Sequence, residues 1–262
     1  MGKNCKRIRA DNDSIGKKTL EGFVAAENYN RWLASRVLPH MRGKEILEIG
    51  CGLGNISRII SEKYTLTCVD IRKDYTDKVT ADLGARTVCV DLAQQKAFDN
   101  EFDGAVSLNV LEHIEDEQAA LENIFKALRP GGRFAVLVPA FNWLYGSVDK
   151  AIFHQRRYTR SRLKKTVQSA GFEVEKTFYF NAFGIPGWFW QNHIRKRELL
   201  PEGQLTLFSR LVPILKVLDI PFRPVLGISV VAWAVKPETG LKSTPMSRRE
   251  PQYPLPPQHR AP

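Results

Sequence analysis

A chain of 262 residues with 43% hydrophobic content can bury one substantial core, so one elaborated domain is expected rather than two full-sized ones. Its formal charge of +11 draws the surface toward nucleic acid, anionic lipid or an acidic substrate, and the sign alone does not choose among them. No uninterrupted apolar stretch reaches the roughly 18 residues of a membrane span, and Cys5, Cys51, Cys68 and Cys89 lack metal-ligand spacing, so a soluble or peripheral cytoplasmic protein with reduced cysteines and no metal is expected.

Residues 1–20 are polar and basic and read as an N-terminal arm. From Glu27 to Met41, Tyr29, Trp32, Leu33 and Val37 follow the i, i+3, i+4, i+8 rhythm of an amphipathic helix. Short apolar runs then alternate with helical stretches. EILEI (45–49) leads into a helix carrying Ile56, Ile59 and Ile60, and TLTCV (65–69), RTVCV (86–90) and GAVSL (104–108) are further strands. After Asp116, Leu121, Ile124, Phe125 and Leu128 form a helical stripe that stops at RPGG (129–132), and RFAVLVP (133–139) reads as a fifth strand. Strands separated by helices predict right-handed crossovers and an α/β, doubly wound parallel sheet, whose ligand crevice lies at the carboxyl ends of the strands.

FEVEKTFYF (172–180) and ISVVAWAVK (228–236) complete the strand set, yet roughly 50 residues separate them, more than an ordinary connection holds. The span 183–226 contains GIPGWFWQNHIRKR and LFSRLVPILKVL, one piece aromatic-rich and the other amphipathic, and is expected to form a cap insert on a domain spanning 21–236. Seven of the fifteen prolines follow Val235, so 237–262 reads as a disordered tail.

Chemistry begins in EILEIGCGLGNIS (45–57). Glycines at positions 50, 52 and 54, directly after a strand, require either positive φ or a ligand lying against the backbone. A dinucleotide fingerprint wants its third glycine where this chain has Asn55. Glu48 stands just before the glycines. Asp70 ends the second strand, where a carboxylate can accept both ribose hydroxyl protons, and Asp91 ends the third, within reach of an adenine amino group. Acidic residues on three successive strand ends make a stronger signal than the turn alone.

The run from Glu45 to Ala140 resembles the class I S-adenosylmethionine-dependent methyltransferases. EIGCGLG is similar to their first motif, VDI (69–71) to their ribose-binding turn and VDLAQ (90–94) to their adenine-side turn. FDGAVSLNVLEHIED (102–116) is similar to their fourth-motif region, and ALRPGGRFAVLVP (127–139) to the helix-turn-strand that follows. The resemblance implies S-adenosyl-L-methionine as cofactor and a Rossmann-like seven-stranded sheet whose last strand is antiparallel, with a helical insert between strands six and seven. It further implies a cofactor set of Glu48, Gly50, Cys51, Gly52, Asn55, Asp70, Ile71, Asp91, Leu92, Asn109 and Val110. Gly50 and Gly52 would lie against the methionine half, with Asn109 and Val110 bordering the sulfonium. NYNRWLASRVLPHMRGKEILEIGCG and FHQRRYTRSRLKKTVQSAGFEVEKTFYFN resemble a bacterial group of these enzymes, and small-molecule and quinone-type methyltransferases carry a segment comparable to the second.

Methyl transfer from a sulfonium is an in-line displacement with an excellent leaving group, so positioning dominates, and a hydroxyl or ammonium nucleophile needs a base with a pKa near neutral. Histidine fits that need. His154, after the fifth strand, is the first candidate, with loop ordering as the alternative; His113 is the second, with bracing of the fold as its alternative. Arg156, Arg157 and Tyr158 either clamp an anionic substrate or form a solvated helix entrance. Tyr29 and Trp32 either close one side of the pocket or belong to the core. Phe183, Trp188, Phe189 and Trp190 beside Arg195, Lys196 and Arg197 suit a membrane headgroup region or a cap over an apolar pocket. The expected enzyme methylates oxygen or nitrogen on a small, apolar or lipid-linked acceptor, in the cytoplasm or peripherally on the inner face of the membrane. Nucleic-acid methylation is the rival, but NVLEHI lacks the Pro-Pro-aromatic pattern of amino-directed DNA enzymes and the Pro-Cys of cytosine-C5 enzymes. A non-catalytic cofactor-binding module is the third reading.

Overall fold

A computed structural model describes residues 10–199 and 203–238. One sheet contains β1 (Glu45–Ile49), β2 (Thr65–Asp70), β3 (Arg86–Cys89), β4 (Phe102–Leu108), β5 (Leu128–Pro139), β6 (Glu173–Phe180) and β7 (Ser229–Val235), in the order β3-β2-β1-β4-β5-β7-β6. The strands β1 to β5 pair in parallel, while β7 runs antiparallel between β5 and β6. The order reverses between β1 and β4, the switch point at which such sheets open their crevice.

The helices are α1 (Ala10–Val24), α2 (Glu27–Val37), α3 (Ser57–Ser61), α4 (Lys73–Leu83), α5 (Glu117–Ala127), α6 (Ser147–Ala151), α7 (Arg160–Ser169), α8 (Gly184–Phe189) and α9 (Gln204–Leu218). Alternation along each strand sends side chains to both faces. Phe134, Val136 and Val138 of β5 join Leu121, Ile124, Leu163 and Val167 from α5 and α7. Ala135 and Leu137 meet the opposite layer, which holds Trp32, Leu33, Ile60, Val79 and Val212 from α2, α3, α4 and α9. Between β6 and β7 the chain makes α8, a π-helical turn at Trp190–Ile194, and α9.

Three features depart from expectation. Residues 10–24 are helix α1 rather than an arm; the helix is held by docking, since Leu20 reaches the glycine turn and its carbonyl accepts from Asn55 Nδ2 at 3.1 Å. Residues 1–9, and the tail from 239 onward, lie outside the described residues. Helix α5 stops at Ala127, so Leu128 opens β5 instead of closing the stripe. Cys51 and Cys68 are free and buried, whereas Cys89 is disulfide-bonded.

Candidate functional site

Four backbone turns at one edge of the sheet take positive φ: Gly50 (74°) after β1, Asn109 (54°) after β4, Phe141 (60°) after β5 and Asn181 (62°) after β6. Three of the four are not glycine. Such conformations persist where surrounding structure over-determines them, which marks this edge for function.

The glycine turn is held by main chain. Gly50 N donates to Val69 O at 2.8 Å, and a Cβ on Gly50 would lie 2.4 Å from Val110 Cγ2. Gly52 N donates to Asp70 Oδ2 and Arg72 N to Asp70 Oδ1, both at 3.0 Å. Burial pushes the Asp70 carboxyl upward against those two bonds. The Ile71 backbone also bonds this carboxyl, so the main-chain N–H groups of Gly52, Ile71 and Arg72 hold it. Ile71 is 43% exposed at the tip of β2, and Asp91 Oδ1 accepts from Ala93 N at 3.0 Å. The Leu92 and Cys51 side chains point into the two core layers, which leaves only their backbone for a ligand. Glu48 is buried, accepts from Cys68 Sγ at 3.4 Å, and burial pushes its carboxyl up to about 7. Asn109 is exposed, its backbone N–H donating to Leu137 O at 2.8 Å.

The segment after β5 engages Arg156, Arg157 and Tyr158 within the fold, so the three side chains form neither an open clamp nor a solvated helix entrance. Phe141 N donates to Tyr158 O and Tyr158 N to Pro139 O, both at 2.9 Å, so residues near 158 pair with the end of β5. That pairing turns two of the three side chains inward. Arg157 is 1% exposed and donates to Asp149 Oδ1 (2.9 Å), Asp149 Oδ2 (3.1 Å) and Ala140 O (2.9 Å). The fully buried Tyr158 donates its hydroxyl to Glu117. Arg156 is engaged with the carbonyls of Ile114 and Glu115, each at 2.9 Å. Trp32 is likewise core: it is 3% exposed and meets Phe180 edge-on at 4.5 Å. Tyr29 is half-buried among Phe23, Trp32 and Phe208.

The structure brings the two candidate histidines together, their ring centroids 4.6 Å apart. His113 is exposed and His154 buried. His154 Nδ1 meets Asp149 Oδ1 at 2.7 Å, and its Nε2 stands 3.6 Å from Glu112 Oε1. Burial acts to raise the Asp149 carboxyl, but hydrogen bonds from His154 and Arg157 hold it below the ordinary carboxylate value. Sequence reasoning missed Asp149 and Glu112. The available signals were a carboxylate five residues before His154 and another beside His113 after an apolar strand.

Comparison with known proteins agrees with this fold. A family model described as a methyltransferase domain matches residues 24–177. A "probable S-adenosylmethionine-dependent methyltransferase" of Mycolicibacterium smegmatis is 31% identical over 184 residues, covering 65% of this chain and 69% of that protein. An O-methyltransferase of Aspergillus sclerotiorum is 31% identical over 133 residues, 47% of this chain and 49% of its own length, so the chain spans about half of that fungal relative. A solved structure titled as a possible histamine N-methyltransferase, from Thermotoga maritima, shares the fold with a TM-score of 0.60 at 15% identity, covering 85% of this chain and 99% of that one.

Proposed function

We propose that this chain, which belongs to the class I S-adenosylmethionine-dependent methyltransferases, methylates an oxygen or nitrogen of a small, apolar or lipid-linked acceptor. S-adenosylmethionine supplies an electrophilic methyl on a sulfonium that leaves as a neutral thioether. The residues present fit that cofactor. Gly50 and Gly52 offer bare main chain at positive φ, Asp70 sets a carboxylate at the end of β2 for a ribose diol, and Ile71 offers an apolar surface to a flat base, with Asp91 on the neighbouring strand end. Cys51 and Leu92 would contribute backbone, Glu48 would support the turn from behind, and Asn55 would tether α1 across it. Asn109 and Val110 would border the sulfonium, next to the Glu112–His154 corner, where an acceptor proton would be received.

The observation that carries the acceptor class is the outer face of the cap. Helix α9 packs Phe208, Val212 and Leu215 on the core, yet Leu207 and Ile214 are each 62% exposed and Val217 is 58% exposed on its other side. An apolar stripe of this kind, on a helix that also exposes Arg210 and in a cap that exposes Arg195 and Lys196, suits an apolar ligand or a lipid headgroup region. The cap also grips the loop that holds His154: Trp188 Nε1 donates to Leu144 O at 3.2 Å, and Val148 N to Asn192 Oδ1 at 3.0 Å. Among the described residues, no helix is long and apolar enough to cross a membrane.

The test offers purified protein and methyl-labelled cofactor a lipid extract, RNA and a polar-metabolite fraction. Label in the organic phase is expected. Label confined to RNA or to the polar fraction overturns the acceptor class, and a protein that neither binds nor demethylates the cofactor overturns transfer itself.

A further inference from the structure

One nitrogen or oxygen from each of Glu112, His113 and His154 lies within 4.8 Å of the other two. Glu112 is fully buried, and neither carboxylate oxygen has a hydrogen-bond partner among the described residues. Leaving such a group unmatched is costly, and the 3.6 Å gap to His154 Nε2 is too long for a hydrogen bond.

His154 is already arranged as a ligand. Its Nδ1 is engaged by Asp149 at 2.7 Å, which puts the imidazole proton there and leaves Nε2, with its lone pair, on the side of Glu112. Asp149 is itself fixed by Arg157 at 2.9 and 3.1 Å and by Gly146 N at 2.9 Å. A carboxylate behind a ligating imidazole fixes its tautomer and orientation. The structure assigns to Glu112, His113 and His154 a site for one divalent first-row transition cation, with Asp149 positioning His154.

Two imidazoles and one carboxylate form a set that suits Zn²⁺, Fe²⁺, Co²⁺ or Ni²⁺ rather than Mg²⁺ or Ca²⁺, which favour oxygen. Bonds of about 2.1 Å place neighbouring ligand atoms roughly 3 to 3.5 Å apart, so Glu112 and His154 are nearly at spacing. His113, on the same short turn, has a ring nitrogen within 4.8 Å of the other two ligand atoms and would shift toward them to close the set. Three protein ligands leave a position open. His113 N donates to Val110 O, which ties this corner to the residue packed on Gly50. Under the methyl-transfer reading, on which this last role rests, an acceptor hydroxyl taking the open position would lose its proton to solvent more readily than in water, Glu112 and His154 then acting as ligands instead of receiving it themselves.

Untagged full-length protein, stripped with a chelator, is titrated with Co²⁺ while visible d–d absorption is recorded. Saturation at one equivalent is expected, displaced by Zn²⁺. Glu112→Gln and His113→Ala are each expected to weaken cobalt binding at least about tenfold, and Asp149→Asn by about tenfold through the misoriented imidazole. Circular dichroism checks that His113→Ala keeps the fold, and that variant decides the matter if the Glu112 variant does not fold. No saturable absorption, or unchanged affinity in His113→Ala, overturns the site. Calorimetry with S-adenosylmethionine on the same stripped protein separates the two readings: cofactor heat without a cobalt signal sinks the cation site alone, and a cobalt signal without cofactor heat leaves the cation site standing and sinks methyl transfer.

Discussion

The two parts of this crevice hold their polar groups by opposite means. After β1 and β2 the main chain does the holding, with Gly52 N and Arg72 N both donating to Asp70. After β4 and β5 side chain holds side chain: Arg157, Asp149 and His154 form a buried series that ends at Glu112, whose oxygens find no hydrogen-bond partner among the described residues. Backbone donors survive a side-chain substitution. A buried series loses its balance when any member is removed, so the two parts should respond differently to mutation.

Arg157→Leu is the harshest break. It leaves the fully buried Asp149 without its guanidinium, and removing one partner of a buried pair costs about 3–5 kcal/mol. Urea denaturation should show a loss of that size. A loss below about 1 kcal/mol would mean that water or His154 alone satisfies Asp149, and the contrast between the two parts would vanish.

Legibility follows the same division. Glu48, the glycines and Asp70 could be read from the sequence because strand period and strand ends place them: β1 and β2 pair in register, Glu48 beside Cys68 and Ile49 beside Val69, so their ends fall together. Asp149 sits on the five-residue helix α6 and His154 just after it, a stretch too short to show a period, and the Ala140–Tyr158 bridge that pins the following segment is a contact that no local pattern announces. The inward turn of Arg157 has the same cause. A basic tripeptide at a helix entrance looks solvated until the chain is pinned to β5. Helix α1 was hidden by its polar composition, since what orders it is Leu20 docking on Gly52 and the bond from Asn55.

Glu48 sharpens the comparison through pH. Burial pushes its carboxyl up to about 7 from an ordinary 4.5, so the folded chain binds the proton more tightly than the unfolded chain. Stability is therefore full below about 4.5 and is lost as pH rises through about 7. The full loss amounts to about 3 kcal/mol. Glu48→Gln removes that slope, so the stability difference, wild type minus variant, should fall by about 3 kcal/mol from acid to mildly alkaline pH. Parallel pH curves would show that the carboxylate is solvated and that the turn is not backed by a buried acid.

Asp70→Asn probes the main-chain side directly. Gly52 N and Arg72 N bond opposite oxygens of Asp70, so the amide oxygen keeps only one of the two bonds and folding stability should fall by about 1–3 kcal/mol. Cofactor affinity should drop by about 1.5–3 kcal/mol, the worth of hydrogen bonds to a charged acceptor. Calorimetry that finds unaltered affinity would remove Asp70 from the ribose site, and a larger loss of stability would show that this side depends on side-chain charge as much as the other.

The smallest effect is expected outside both, on the cap. Ile214 is 62% exposed, so Ile214→Gln should leave stability within about 0.5 kcal/mol. If α9 serves an apolar or lipid-linked acceptor, the same change should raise KM for a lipid-phase substrate and leave cofactor binding untouched, because the glycine turn and Asp70 stand on other elements. Equal kinetics in the variant would show that the exposed stripe plays no part in acceptor capture. A stability loss well above that range would show instead that Ile214 is covered in solution, for example by a second copy of the chain, and sedimentation would then find a dimer that the variant dissolves.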